Sequence, residues 1–480
     1  MQNINCLLIN FFLIFFQFFK KLKGIFMKSK LNLFALLLII LNFLSTDKLL
    51  ALVENAKNPQ IITNGDGKYV YAIWAKNDSE KDIIQITISS DYAQTWPVPD
   101  DLSTTGQNAA MAYLANDIYQ RFIYGIWTRS NGSNDIVQFS YSKGYPFENW
   151  SSPINLSDTG ENANNPKAVT NFIGKNIYAI WARSNGTNDI IQFCKSTDFG
   201  QNFSSAIDLS IAGFSATNQQ ISTNENQNFV CTVWQRSNGT NDIIQFRNSL
   251  DYGENWSSIA DLSTSGQNAN NPQIKTTDNM LYTIWIRSNG TNDIVQLRSS
   301  IFTGNSWSSV LDLSTLGQNA INPQITADQS GKKAYAIWVR SNGSNDIIQM
   351  SYTSDFSATW SSPIDLSATL QSAENPQIIT DDMGQNIYAT WVRSNGSNDI
   401  IQESHSIDFG ATWSSPIDLS DTLQNAKNPQ ITVSDDGVKT YIVWTRSDGI
   451  KDVIQMSSSQ FYGSSFSDPQ SISNYITVYK

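Results

Sequence analysis

A guanidinium and a carboxylate six residues apart recur along this chain. The pairs are Arg129 with Asp135, Arg183 with Asp189, Arg236 with Asp242, Arg287 with Asp293, Arg340 with Asp346, Arg393 with Asp399 and Arg446 with Asp452; Lys76 and Asp82 take the two places in the first copy. An indole precedes each cation by two residues, at Trp74, Trp127, Trp181, Trp234, Trp285, Trp338, Trp391 and Trp444. On a strand, that spacing puts indole and cation on one face. A guanidinium fork, a carboxylate and an aromatic face are the ingredients of a sugar site, with hydrogen bonds to hydroxyls and stacking on C–H faces. The set is therefore a candidate ligand-binding ring. The plainer reading is a cross-strand ion pair facing itself across a hairpin and stiffening the turn, worth about 0.2–1 kcal/mol when exposed.

The elements that must position these residues are legible in the same repeat. The phrase Ile-Trp-x-Arg-Ser-Asn-Gly-x-Asn-Asp-Ile-Ile-Gln returns eight times, its tryptophans 51 to 54 residues apart. A fixed period in that range, built from strand-like pieces, means a propeller or solenoid. In the sixth copy, Asn322-Pro323 leads into a strand at 324–326, and a turn through Gly331 leads to a second strand at 334–340. Asn342-Gly343 is a hairpin signal before a third strand at 346–352, and a fourth runs over 361–366. Strands two and three carry bulky residues at consecutive positions, so both faces are covered, as they are when each sheet lies between two others. The expectation is an all-β, eight-bladed β-propeller of four-stranded antiparallel blades at roughly 52–103, 104–157, 158–210, 211–263, 264–314, 315–367, 368–420 and 421–473. A seven-bladed ring with one extra copy is the alternative. The expected closure uses blade packing without an exchanged strand. The glutamine that ends each phrase (Gln85, Gln138, Gln192, Gln245, Gln296, Gln349, Gln402, Gln455) is expected to bond a neighbouring blade's backbone.

The first 51 residues have a different texture. Two apolar runs, 6–19 and 31–44, flank Lys20, Lys21 and Lys23, and each is shorter than the roughly 20 residues that span a bilayer. Met27-Lys28-Ser29-Lys30 before 31–44 reads as a signal peptide, with translation starting at Met27 and cleavage near Ala51; a two-span anchor is the rival. The expectation is a secreted or cell-surface protein whose mature domain does not insert into the membrane. Residues 1–51 hold six Lys and one Asp, so setting them aside takes the formal net charge from −11 to −16. A body so acidic repels phosphate backbones, which excludes nucleic acid as the expected partner. Cys194 and Cys231 stand in different repeats and are expected to be free buried thiols. No metal or cofactor motif is present in the sequence.

Between strands three and four stands Ser-x-Asp-x-Gly-x-x-Trp, as Ser249, Asp251, Gly253 and Trp256, or Ser406, Asp408, Gly410 and Trp413; close variants place Asp91, Asp198 and Asp355 alike. The motif resembles the Asp-box, or bacterial neuraminidase repeat, of sialidase-type propellers. The resemblance implies that these aspartates fasten a turn on the face opposite an active site, with Gly in the left-handed position and Trp plugging a gap between strands. It further implies sialic acid cleavage by three arginines from different blades, a Tyr–Glu nucleophile and an Asp acid/base. The Phe/Tyr-Arg-Ile-Pro motif of the first arginine is absent here, and near-identical blades offer no specialised set, so the catalytic residues stay unassigned. The clearest singletons are Glu403 and His405. The resulting expectation is a glycan- or glycoprotein-binding propeller acting through a repeated Arg/Asn/Asp face. A sialidase-type hydrolase with a divergent site and a protein scaffold are the alternatives.

Overall fold

The computed structural model describes residues 55–473, apart from 78–80, 118–120, 145–148, 225–227, 289, 302, 448 and 450. The signal-peptide expectation for 1–51 lies outside the described residues. Among those residues, thirty-two strands form eight four-stranded antiparallel sheets, each with its strands in chain order. The molecule is an eight-bladed propeller: inner strands contact inner strands around the circle, and the last, Asn425–Val433, returns to the first, Ala56–Thr63.

In the sixth blade the strands are Ala320–Ala327, Ala334–Ser341, Asp346–Thr353 and Ile364–Asp365. The outer strand is two residues long, shorter than the sequence suggests. Pro363, just before it, has no N–H to add to a ladder. Each inner strand has a buried alanine at or next to its start (Ala320 in this blade, Ala426 in the last) and is then interrupted by a bulge. In seven blades the bulge holds an asparagine in the left-handed region, with φ between 48° and 55° from Asn58 to Asn428. Asparagine tolerates that region, and in six blades the proline after it needs no ladder partner. The bulge displaces the inner strands at one end of the ring, here called the upper end. The second-to-third strand hairpins and the links between blades lie at the same end.

The core is not one mass. Eight apolar clusters each draw on two successive blades, so the core consists of the seams. All eight tryptophans of the repeat sit in these seams at 0% exposure. Tyrosines on the second strands reach across to the next blade's first turn: Tyr282 Oη donates to Gly331 O, Tyr335 to Gly384 O and Tyr388 to Gly437 O. Tyr441 Oη to Gly67 O, at 2.6 Å, makes the same bond from the last blade to the first. Lower turns are also strung by backbone bonds, Gln329 N to Asp382 O, Asp382 N to Asp435 O and Asp435 N to Gly65 O. Closure therefore uses contacts that recur at other seams, as between the sixth and seventh and the seventh and eighth blades, with no strand exchanged among the described residues.

Removing the hydroxyl at the closing seam tests this equivalence. Tyr441→Phe is expected to lower stability by about 0.5–1.5 kcal/mol, the net worth of one buried hydrogen bond. Tyr335→Phe, at an interior seam, is expected to cost the same within error by thermal or denaturant melting. A cost confined to Tyr335 would mean the ring is not closed through that seam.

Candidate functional site

The upper rim carries the arginines and aspartates that the sequence singles out, but it pairs them differently. The register sets Arg340 opposite Ile347 and Asp346 opposite Ser341, so Arg and Asp of one hairpin do not face each other; every other blade repeats this offset. The arginine turns instead to the acid on its own outer strand. Arg393 Nη2 lies 3.1 Å from Asp418, Arg340 Nη2 3.5 Å from Asp365 and Arg287 Nη2 3.8 Å from Asp312. Arg183 meets both Asp208 and Glu161. Where the repeat breaks, so does the pair. Asn155 stands in place of the acid in the second blade, and Arg129 donates to Ser130 O. Arg236 lies 4.8 Å above the Phe214 ring, and the eighth blade, that of Arg446, has Ser471 in the acid's place.

The glutamine that recurs in every copy explains how that outer acid is held. Gln402 Nε2 donates to Asp418 Oδ1 at 2.7 Å, and Gln402 Oε1 accepts from Trp391 Nε1 at 3.2 Å. The same relay runs through Gln245 and Gln296, and through Gln192 in the third blade. The glutamine thus bonds within its own blade, which corrects the expectation of a neighbour's backbone. It lets a fully buried indole keep a hydrogen bond, and it fixes the carboxylate that receives the arginine. With the indoles at 0% exposure, the stacking surface of the expected sugar set is out of reach.

The hairpin aspartates have another duty. Their backbone N–H groups are gripped by the polar side chain that opens the next blade. Asp135 N donates to Asn162 Oδ1, Asp293 N to Asn319 Oδ1, Asp399 N to Asn425 Oδ1 and Asp452 N to Asn55 Oδ1. Three of the carboxylates are taken: Asp82 by Lys57 at 2.7 Å, Asp452 by Lys427 at 3.1 Å and Asp242 by Gln235 at 2.8 Å. Those of Asp135, Asp189, Asp293, Asp346 and Asp399 have no side-chain partner among the described residues. Beside Asp135, Asp189, Asp346 and Asp399 the asparagine of the Asn-Gly turn is itself tied down, as when Asn342 Oδ1 accepts from Ser344 N and Asn345 N.

At the lower end, the turns between third and outer strands are closed by the Ser-x-Asp residues. Asp251 Oδ1 accepts from Asn255 N at 2.8 Å and from Ser249 Oγ at 2.7 Å, and Gly253 N donates to Ser249 Oγ. These bonds, led by the Asn255 N–H, hold the Asp251 carboxyl down at about 2. Asp198, Asp355, Asp408 and Asp91 repeat the arrangement. Not only Gly253 but also Tyr252 before it is left-handed, at φ 59°. Trp256 packs edge-on against Phe193 of the preceding blade, 5.0 Å between centroids, so the aromatic plugs a seam between blades.

A site the repeat does not announce lies on the ring's axis. Cavities of about 300 Å³ and 350 Å³ open among the bulges of the inner strands, lined by residues such as Asn58, Gln60, Asn165, Asn218, Gln220 and Asn428. Six blades carry Asn-x-Gln at this place, five of them lining the two cavities; the second brings Met111-Ala112-Tyr113 and the third Asn165-Pro166-Lys167. Aligning that triplet alone, copy by copy, would have exposed the break. Lys167 Nζ sits 5.2 Å from the centre of the Tyr113 ring.

The other singleton pair is internal. Glu403 is fully buried where seven blades put Ile86, Phe139, Phe193, Phe246, Leu297, Met350 and Met456. Its company is His405, whose Nδ1 lies 3.2 Å from Glu403 Oε1. Burial pushes the Glu403 carboxyl above its usual range, only partly opposed by the histidine. The pair belongs to the seam between the last two blades, where a Cβ on Gly463 would meet the imidazole. It is away from both rim and axial cavities. Cys194 and Cys231 are free and buried. No group of three His, Cys, Asp or Glu able to hold a metal occurs among the described residues.

No family model matches the chain, and no curated protein matches it. Similar solved structures include the Hadza microbial sialidase Hz136, at 12% identity and TM-score 0.39, covering 59% of this chain and 63% of that one. They also include the polysaccharide lyase PL25-Ulvanlyase, at 11% and 0.49 over 85% and 94%, and a prolyl endopeptidase, at 10% and 0.47 over 84% and 57%. The chain thus spans less than two thirds of the sialidase and of the endopeptidase. Likenesses this distant assign no ligand or reaction to it.

Two substitutions test the interior chemistry. Gln296→Met removes the acceptor of the buried Trp285 Nε1 and is expected to cost about 1–3 kcal/mol, the penalty of an orphaned buried donor; a neutral result in melting would show the relay contributes nothing. Glu403→Met installs the residue of the sixth and eighth blades. A carboxyl whose folded-state affinity for protons is raised loses stability as pH climbs above its ordinary value near 4.5. The variant's melting temperature is therefore expected to exceed that of the parent at pH 8, with the gap narrowing toward pH 4.5. A gap independent of pH would sink that account.

Proposed function

We propose that this propeller is a binding module, exported by way of residues 1–51, whose upper rim engages glycans or glycoproteins at several equivalent positions. The observation that carries the reading is the row of uncommitted carboxylates, Asp135, Asp189, Asp293, Asp346 and Asp399, set at blade spacing among amide-rich turns. Carboxylates and amides accept and donate hydrogen bonds to sugar hydroxyls without a deep pocket. Equal spacing turns weak single contacts into avidity for a branched or repeating ligand. An acidic rim favours neutral or amino sugars over sulfated or uronic ones. The lower turns are read as Asp-boxes serving as fasteners away from this surface.

The candidate arginines do not supply the clamp of a hydrolase. Arg183, Arg287, Arg340 and Arg393 each meet an acid of their own outer strand and do not converge on the axis. The residues that line the axial cavities include no Asp or Glu, so no carboxylate pair stands there for acid–base work. Binding without turnover fits both facts.

A glycan array probed with the wild-type domain and with Asp346→Asn/Asp399→Asn tests the proposal. Both side chains are exposed, so the fold is expected to survive. The wild type is expected to retain neutral or amino-sugar glycans, and the double variant to lose at least several-fold in signal through reduced avidity. Equal retention by the two proteins, or none by either, would overturn the reading.

A further inference from the structure

Of the features the rim does not use, the axial cavity breaks the ring's symmetry in a chemically directed way. Two adjacent blades replace the amide lining: Gln becomes Tyr113 in one and Lys167 in the next, while Asn and Pro become Met111 and Ala112. The changes are complementary, since one adds a positive charge and the other an apolar wall beside it. Met111 is 48% exposed, facing the opening and leaving an apolar group in contact with water. The Lys167 ammonium has no hydrogen-bond or ion-pair partner among the described residues and lies over the Tyr113 ring. A lysine placed merely to stabilise the seam would be met by one of the many acids of so acidic a chain.

We propose that the axial cavity between the second and third blades binds a small monoanion with an apolar body, its charge on Lys167 and its body against Met111, Ala112 and Tyr113. One lysine among neutral amides balances one negative charge, which selects a monoanion over a phosphate-like dianion. A cavity of about 300 Å³ has the volume of roughly ten waters, enough for a single small ring with its acid group. Asn218 and Gln220, on the fourth blade's inner strand, lie in the same lining and offer amide donors to the acid oxygens. Burial pushes the Lys167 ammonium down to about 8. The other lining groups are amides, apolar residues and the Tyr113 phenol, which burial drives upward. Affinity should therefore fall as pH rises past 8, where the free lysine gives up its proton. The inference stands apart from the glycan reading, since it concerns the axis and not the rim.

Calorimetric titration at pH 7 with benzoate, with its neutral isostere benzamide, and with benzenesulfonate tests it. Benzoate or benzenesulfonate is expected to bind at least ten-fold more tightly than benzamide, and the ratio of the two anions identifies the preferred acid group. Lys167→Gln restores the residue that six blades carry, so folding is not at stake; it is expected to cost about ten-fold or more in anion affinity, roughly 1.4 kcal/mol. Tyr113→Gln is expected to weaken benzoate and benzamide alike. Benzamide binding as well as the anions, an unaffected Lys167→Gln variant, or no binding of either anion would overturn the assignment.

Discussion

Every sheet in this molecule is apolar on both faces, and a sheet like that cannot stand alone. The second strand of the sixth blade is buried from Ala334 through Val339, which leaves no side to offer to water. The only satisfying arrangement is mutual coverage around a circle, and it has to close, because an open end would expose the seam of Trp74 or of Trp444. Stability here belongs to contacts between successive units, as in other repeat proteins. The hydrogen bonds follow that logic. Tyrosine hydroxyls stitch the lower end and asparagine side chains stitch the upper, each reaching from one unit to the next.

The same constraint decides where chemistry can live. Residues at seams are consumed by the architecture: in the third, fifth and seventh blades indole, glutamine, outer-strand acid and arginine form one relay running outward from core to rim. This is why a set that resembles a sugar site on paper is a structural girder in three dimensions. What remains chemically open is whatever the relay leaves over, namely the hairpin carboxylates and the axial lining. The first is repeated and shallow, the second singular and enclosed.

Much of the architecture was legible in the chain. The period, the Asn-Gly hairpins and the consecutive bulky residues of strands two and three specify the blade and its number of copies. The hairpin pairing was not legible, because a one-residue offset in the turn puts Asp346 opposite Ser341 instead of Arg340. The glutamine's role was missed for a related reason: its partner Asp365 lies on a two-residue strand with hardly any pattern of its own. Attention to the strongest repeat also hid the weakest position. Tyr113 and Lys167 are departures at a place where the consensus is a modest Asn-x-Gln, and only the fold shows that this place faces the axis.

The closing seam has one more implication. Because the last blade meets the first through the tyrosine and backbone bonds that join the fifth to eighth blades to one another, with neither strand borrowed, the closing seam is not structurally distinguished from those junctions. A circularly permuted chain, opened between any two blades and joined across the native ends, would find the same set of interfaces.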